Sequence, residues 1–260
     1  MKIKKFLPAF MLTALLLTTF SLSASSPATG ETVNYRVMYK WGLVNKQAGR
    51  VRISTRAEAG NTFRSVLTAR SERWADRFFK VRDTLIGTMK ATTCEPLSYE
   101  KKTHEGGKYK RDIISYTRSE NTTTGHCTRY RQKKASQPVT SSEITLTARG
   151  LTLDMLSAFY YMRSINYSTM KNGEKKVLNV FSGKRKELLT IEYNGVRTIE
   201  IDDRRHECYH ITFRFTGDGG KKTSDDMDAW ISTDADRIPL KLEGKLPVGK
   251  VQCFYTGART

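Results

Sequence analysis

The chain has 260 residues, with 45 Lys and Arg against 26 Asp and Glu and a formal charge of +19. That length suits one large β domain or two small ones, and excludes a miniprotein whose four cysteines must staple a core it could not otherwise build. So basic a balance points to acidic partners, or simply to the basic surface that many exported envelope proteins carry.

Lys2, Lys4 and Lys5 precede an apolar run over 6–20, and small residues follow at 21–26. A basic start, a short apolar core and a small-residue end predict a secretory signal peptide over 1–24, cut between Ser23 and Ser26. The alternative is an N-terminal membrane anchor, for which the apolar run is short. The first cysteine is Cys94, which excludes a lipid-anchored mature N-terminus. Cleavage removes three lysines and no acid, so the mature chain stays strongly basic. Export leaves anionic lipid headgroups, lipopolysaccharide phosphates and acidic glycans as partners and sets nucleic acid aside. The mature protein is expected in the periplasm or at the outer envelope, with no transmembrane span.

Residues 31–257 show no interdomain linker and read as one domain. Over 33–41, Val33, Tyr35, Val37, Tyr39 and Trp41 alternate with Asn34, Arg36, Met38 and Lys40, the period of a strand. Residues 51–57 and 63–70 repeat the pattern around an Ala59-Gly60-Asn61 turn. A short helical turn is expected at 73–79, then a strand over 81–89. Strands over 97–103 and 109–116 flank Glu105-Gly106-Gly107. The interval 118–142 is rich in Thr, Ser, Lys and Arg, and reads as a strand end followed by an exposed loop.

Residues 152–163 are the one clear helix. Thr152 can cap its start, Asp154 complements the positive end of its dipole, and Arg163 the negative end. Only Thr152, Asp154 and Ser157 interrupt its apolar residues before Arg163, so it is buried or lines a groove. At about a dozen residues it is too short to span a bilayer. Beyond it, 177–181 and 187–193 flank a Ser182-Gly183-Lys184 turn, and Asn194-Gly195 predicts a hairpin into 196–201. Further strands are expected over 209–215, around Trp230, and over 238–242 and 248–255. A dozen short antiparallel strands with one wet face must curl to bury the other, with the helix as filling.

Tyr35 to Gly49 with its Trp41-Gly42 and Ala48-Gly49, then Phe79-Lys80-Val81-Arg82-Asp83 and Glu105-Gly106, carry a resemblance. Asp154, Leu156-Ser157, Phe159-Tyr160-Tyr161 and Arg163 belong to it, as do Trp230, Asp234 and Arg237-Ile238-Pro239. The chain resembles domain-of-unknown-function family 3108, exported proteins of Gram-negative bacteria. The resemblance implies a mainly β fold, a long antiparallel meander curled into a half-barrel around one helix, similar to periplasmic lipoprotein carriers. It implies no activity and no catalytic residue.

The residues do not assemble an enzyme. Ser157 lies in the helix without the glycine context of a nucleophile elbow, and no acid, base and nucleophile set is visible. His206, Cys208 and His210 share one strand face and could bind zinc or copper. Alternate strand residues stand more than about 6 Å apart, however, so they cannot easily close on one ion. Asp225, Asp226, Asp228, Asp234 and Asp236 lack the glycine and glutamate of a calcium loop. No cofactor is expected. Cys94 with Cys127, and Cys208 with Cys253, are the disulfide pairings to test, buried free thiols being the alternative.

Two readings of function remain. In the first, the protein binds or carries an amphipathic lipid or acidic glycan in a groove beside the helix. Met155, Ala158, Phe159 and Met162 border that groove, and Arg36, Lys40, Arg52 and Arg56 lie at its mouth. In the second, the core is full and the basic face docks an envelope protein as a scaffold.

Overall fold

A computed structural model describes residues 30–217, 220 and 224–258. The segment read as a signal peptide, 1–24, lies outside them. The first half is a run of eight strands: β1 Thr32–Trp41, β2 Val44–Glu58, β3 Thr62–Ser71, β4 Arg82–Lys90, β5 Pro96–Glu105, β6 Lys108–Ser119, β7 Thr122–Gln132 and β8 Thr140–Arg149. A two-residue β9, Thr152–Leu153, leads into α1, Met155–Ser164. Six strands complete the chain: β10 Lys175–Phe181, β11 Lys186–Ile201, β12 Arg204–Gly217, β13 Met227–Ser232, β14 Pro239–Lys245 and β15 Lys250–Ala258.

All fifteen strands form one sheet, running from β8 back to β1, across to β15, and back again to β9. Every neighbouring pair is antiparallel except β9 with β10. The two edge strands, β8 and β9, are consecutive in the chain. Asn179 of β10 ties them to the far edge, donating its side-chain N–H to Arg149 O (2.7 Å) and its backbone N–H to Leu151 O (3.4 Å). The sheet therefore curls further than a half-barrel and is nearly closed.

Alternation sets the inner face. Val33 and Tyr35 of β1, Ile53 of β2, Phe63 of β3 and Met89 of β4 all point inward and are buried. The interval 118–142 is not a long loop: it holds the end of β6, all of β7, and the start of β8. Its threonines are β-branched and suit a strand. The expected apolar alternation is missing because the inward position in mid-β7 is Gly125. A Cβ there would lie 2.7 Å from Phe181, whose ring reaches across from β10 and fills the space.

Asn194-Gly195 is not a hairpin turn either. It is a bulge inside the sixteen-residue β11, where the register with β12 slips between Tyr193 and Val196. The turn comes later, at Asp202 and Asp203, whose φ of 50° and 60° are values a short polar side chain tolerates.

The helix starts at Met155, three residues later than Thr152, which belongs to β9. Asp154 is the cap: its Oδ1 accepts from Leu156 N (2.8 Å) and Ser157 N (2.7 Å), while Ser157 Oγ accepts from Asp154 N (2.8 Å). This reciprocal arrangement satisfies three backbone donors of the first turn. Leu156 and Tyr160 pack with Val33, Ile53, Phe63 and Met89, and Ala158 and Met162 pack with Val180, Leu189, Ile191 and Ile211. Each such large side chain contributes about 1.5–3 kcal/mol on burial. Gly87 makes room, since a Cβ there would already touch Leu156 at 3.4 Å. The helix thus plugs the end of the barrel where β1 begins and β2 finishes.

Candidate functional site: an apolar cavity beside a row of arginines

The opposite end, where β1 finishes and β2 begins, is not plugged. There a cavity of about 730 Å³ lies between inward residues of four adjoining strands, among them Val37, Val51, Ala69, Val251 and Cys253. Its volume is that of a small-molecule site, roughly 300–1,000 Å³. Trp41, Val44, Trp74, Phe78, Phe79 and Leu246 form its rim.

Two connections shape that rim. The β3–β4 connection contains a 3-10 turn, Ala75–Arg77, and folds over the start of β2. Trp74 Nε1 donates to Gln47 O (2.7 Å), and Glu72 N to Ala48 O (2.8 Å). Arg82 grips the same segment through Asp76 (2.7 Å). Hydrogen bonds from Arg82 and Ser71 hold the Asp76 carboxyl below the usual carboxylate range. The β14–β15 turn ends in Gly249 at φ 78°, where a Cβ would strike the Lys40 carbonyl. Only glycine allows the turn to sit so close to β1.

On the outer wall next to this rim lies an open depression of about 1350 Å³ lined by basic side chains. Pairing register builds it: Arg36 of β1 stands opposite Arg50 of β2, Arg50 opposite Arg70 of β3, and Arg70 opposite Arg82 of β4. Arg36 pairs with Asp202 (2.6 Å), Arg50 with Glu72 (3.0 Å) and Arg82 with Asp76. Arg52, Arg70 and Arg73, in the same depression, have no ion-pair partner among the described residues. The cavity and the depression share Arg50, Val51, Arg70, Ser71 and Trp74, so an apolar compartment and a cationic one meet over one lip.

The helix residues expected to border a groove do not line this cavity. Ala158 and Met162 are buried in the packed core, and Met155 is half-buried between its two halves. Phe159 is half-buried beneath the Arg163 guanidinium. Of the basic residues, Arg36 and Arg52 reach the depression, and Lys40 lies one residue before Trp41, the rim residue that ends β1. Arg56 sits toward the plugged end, paired with Glu58 (3.1 Å). The rim residues Phe78 and Phe79 stand at the end of the 3-10 turn, where water would normally favour polar side chains.

His206, Cys208 and His210 do not converge. His210 stacks on Trp230 and bonds Asp228 (3.0 Å), while Cys208 donates to His206 O (3.7 Å). Among the described residues no three His, Cys, Asp or Glu side chains are placed to hold a metal ion. All four cysteines are free thiols. Cys208 packs on the outer face with Leu240 and Cys253 faces the interior, so the sheet separates that pair.

A family model described as a protein of unknown function (DUF3108) matches residues 34–254. The chain belongs to the DUF3108 family. A crystal structure of a β-barrel-like protein of domain of unknown function DUF1849, from Brucella abortus, is similar in fold. Its TM-score is 0.58 at 10% identity, over 88% of this chain and 97% of that one. No curated protein matches. For this DUF3108 chain, the structural likeness agrees with a barrel-like β fold, and neither comparison names an activity.

Proposed function

We propose that the protein is an exported, non-catalytic carrier for an anionic amphiphile. The observation that supports this is the junction of the two compartments: an apolar cavity inside the barrel and a row of arginines outside it share one lip. An acyl chain removed from water into the cavity gains about 0.8 kcal/mol per methylene. An anionic head, held at the lip, meets the unpaired guanidinium of Arg70, which can form two parallel bonds to a carboxylate or phosphate. A scaffold role would leave the cavity without use.

The test is uptake of a fluorescent fatty acid by protein lacking residues 1–24. Ala69 faces the cavity and is not among the fully packed core residues. Ala69→Trp is expected to lower affinity at least tenfold while leaving the melting temperature within a few degrees. Wild-type protein that takes up no anionic amphiphile, or a tryptophan variant that binds as wild type, overturns the proposal.

A further inference from the structure

Seven of the twelve exposed large hydrophobic residues among the described ones gather at the cavity end. They come from connections that are neighbours around the barrel: the β1–β2 turn, the β3–β4 connection and the β14–β15 turn. Leu43 is wholly exposed and Phe78 is 82% exposed; Trp41, Val44, Phe79, Leu246 and Val248 complete the set. Elsewhere such residues are scattered singly, which calls for no explanation.

The same connections, with the strand ends that flank them, carry Lys40, Lys46, Arg73, Arg77, Lys80 and Lys245, all exposed. Their two acids, Glu72 and Asp76, are already paired with Arg50 and Arg82. The open end therefore presents apolar tips inside a collar of positive charge.

We infer that this end of the barrel docks on an anionic lipid surface, Leu43, Phe78 and Val248 entering the acyl boundary while the lysines and arginines meet the headgroups. Aromatic rings and leucines are the side chains that partition into a bilayer interface, and basic side chains behind them add attraction to anionic lipid. The tips are held in place before contact, by the Trp74 to Gln47 bond, the Arg82 to Asp76 pair and Gly249 against Lys40, so docking orders little that is not already ordered. A protein partner would be expected to face tips depleted of lysine, whereas here lysines surround them. The use of docking rests on the carrier reading: Phe78, Phe79, Trp41 and Leu246 both form the tips and rim the cavity, so an amphiphile passes between bilayer and cavity without crossing water.

The experiment is co-sedimentation of protein lacking residues 1–24 with phosphatidylcholine vesicles, with and without phosphatidylglycerol, alongside fatty-acid uptake in vesicle-free buffer. Leu43 and Val248 do not line the cavity, so their substitutions separate the two activities. Wild type should sediment with the anionic vesicles, and less as salt rises. Leu43→Asp and Val248→Asp should each reduce the bound fraction about tenfold and leave uptake within twofold. Lys40→Glu with Lys245→Glu should remove the preference for phosphatidylglycerol. Wild type that ignores anionic vesicles, or Leu43→Asp that sediments like wild type, overturns the docking. So does a wild-type dimer that Leu43→Asp dissociates, because a second copy would then cover the tips. Vesicle binding without fatty-acid uptake would remove the carrier reading and leave docking standing.

Discussion

Arg163 in the last turn of the helix and Glu31 just ahead of β1 form a two-pronged ion pair, with both N–O distances 2.7 Å, across 132 residues of chain. Both side chains are nearly buried, and Arg163 also donates to Asp236 O (2.9 Å) and lies over the Phe159 and Tyr160 rings. The pair locks the plug to the start of β1, in the middle of the sheet. Arg163→Ala should cost about 3–5 kcal/mol, because it leaves the Glu31 carboxylate buried and unpaired. Replacing both, Arg163→Met with Glu31→Leu, should recover most of that loss. Urea denaturation of the three proteins checks it; a single variant within about 1 kcal/mol of wild type would show that the helix is held by packing alone.

Asp154 caps the helix from a fully buried position. Burial raises its pKa to about 6, against the lowering effect of the N–H groups of Ser157 and Leu156, the Ser157 hydroxyl and Arg118. A carboxyl with a raised folded pKa binds its proton more tightly in the native state. Its unfavourable contribution is therefore absent below pH 3.8, the unfolded value, and complete above about 6. Asparagine keeps the cap without the charge. Asp154→Asn should be more stable than wild type by on the order of 2–3 kcal/mol at pH 7.5, and the difference should vanish by about pH 4. Parallel denaturation curves across that range would refute the assignment.

The thiols should react in a set order. Burial pushes Cys94 up to about 12 and Cys127, Cys208 and Cys253 up to about 11, so none is a ready thiolate. Only Cys253 borders the cavity. An uncharged maleimide should label Cys253 first, and a bound fatty acid should slow it. Mass spectrometry of partly labelled protein reads the order, and a mobility shift on non-reducing gels would expose a disulfide instead.

The arginine row should select the head of the amphiphile. Arg70→Glu and Arg52→Glu remove guanidinium groups without breaking an ion pair. Each should weaken fatty-acid binding roughly fivefold at low salt, equivalent to about 1 kcal/mol, and less at high salt. Binding of the matching fatty alcohol should be unchanged. Equal losses for acid and alcohol would place the head elsewhere.

The sheet was legible where inward residues are large. Val33, Tyr35 and Val37 announce β1 by alternation, and the apolar run of α1 announces a buried helix. β7 was hidden because Gly125 is inward and its space is filled by Phe181, a residue 56 positions later whose approach no local pattern encodes. The arginine row was hidden for a similar reason. Arg36, Arg50, Arg70 and Arg82 look like isolated basic residues until register sets them side by side. The cavity followed from the helix ending short: the plug was foreseen, but its ten residues fill only one end of the barrel.

The order of strands bears on how the chain folds. Every ladder joins strands consecutive in sequence except one, β1 with β15, where Tyr35 stands opposite Tyr255. Thirteen of the fourteen ladders can therefore grow locally, while the remaining one must bring the two ends of the domain together over a loop of more than two hundred residues. Loop closure on that scale slows folding far more than it costs stability. The start of β1 and the end of β15 are already paired, Val33 with Ala258. A permuted chain that links 258 to 31 through a short turn and opens between 150 and 151 turns that ladder into an ordinary hairpin. It should refold markedly faster than the natural chain and reach the same native fluorescence. Equal refolding rates would mean that insertion of the helix, rather than the meeting of the ends, sets the pace.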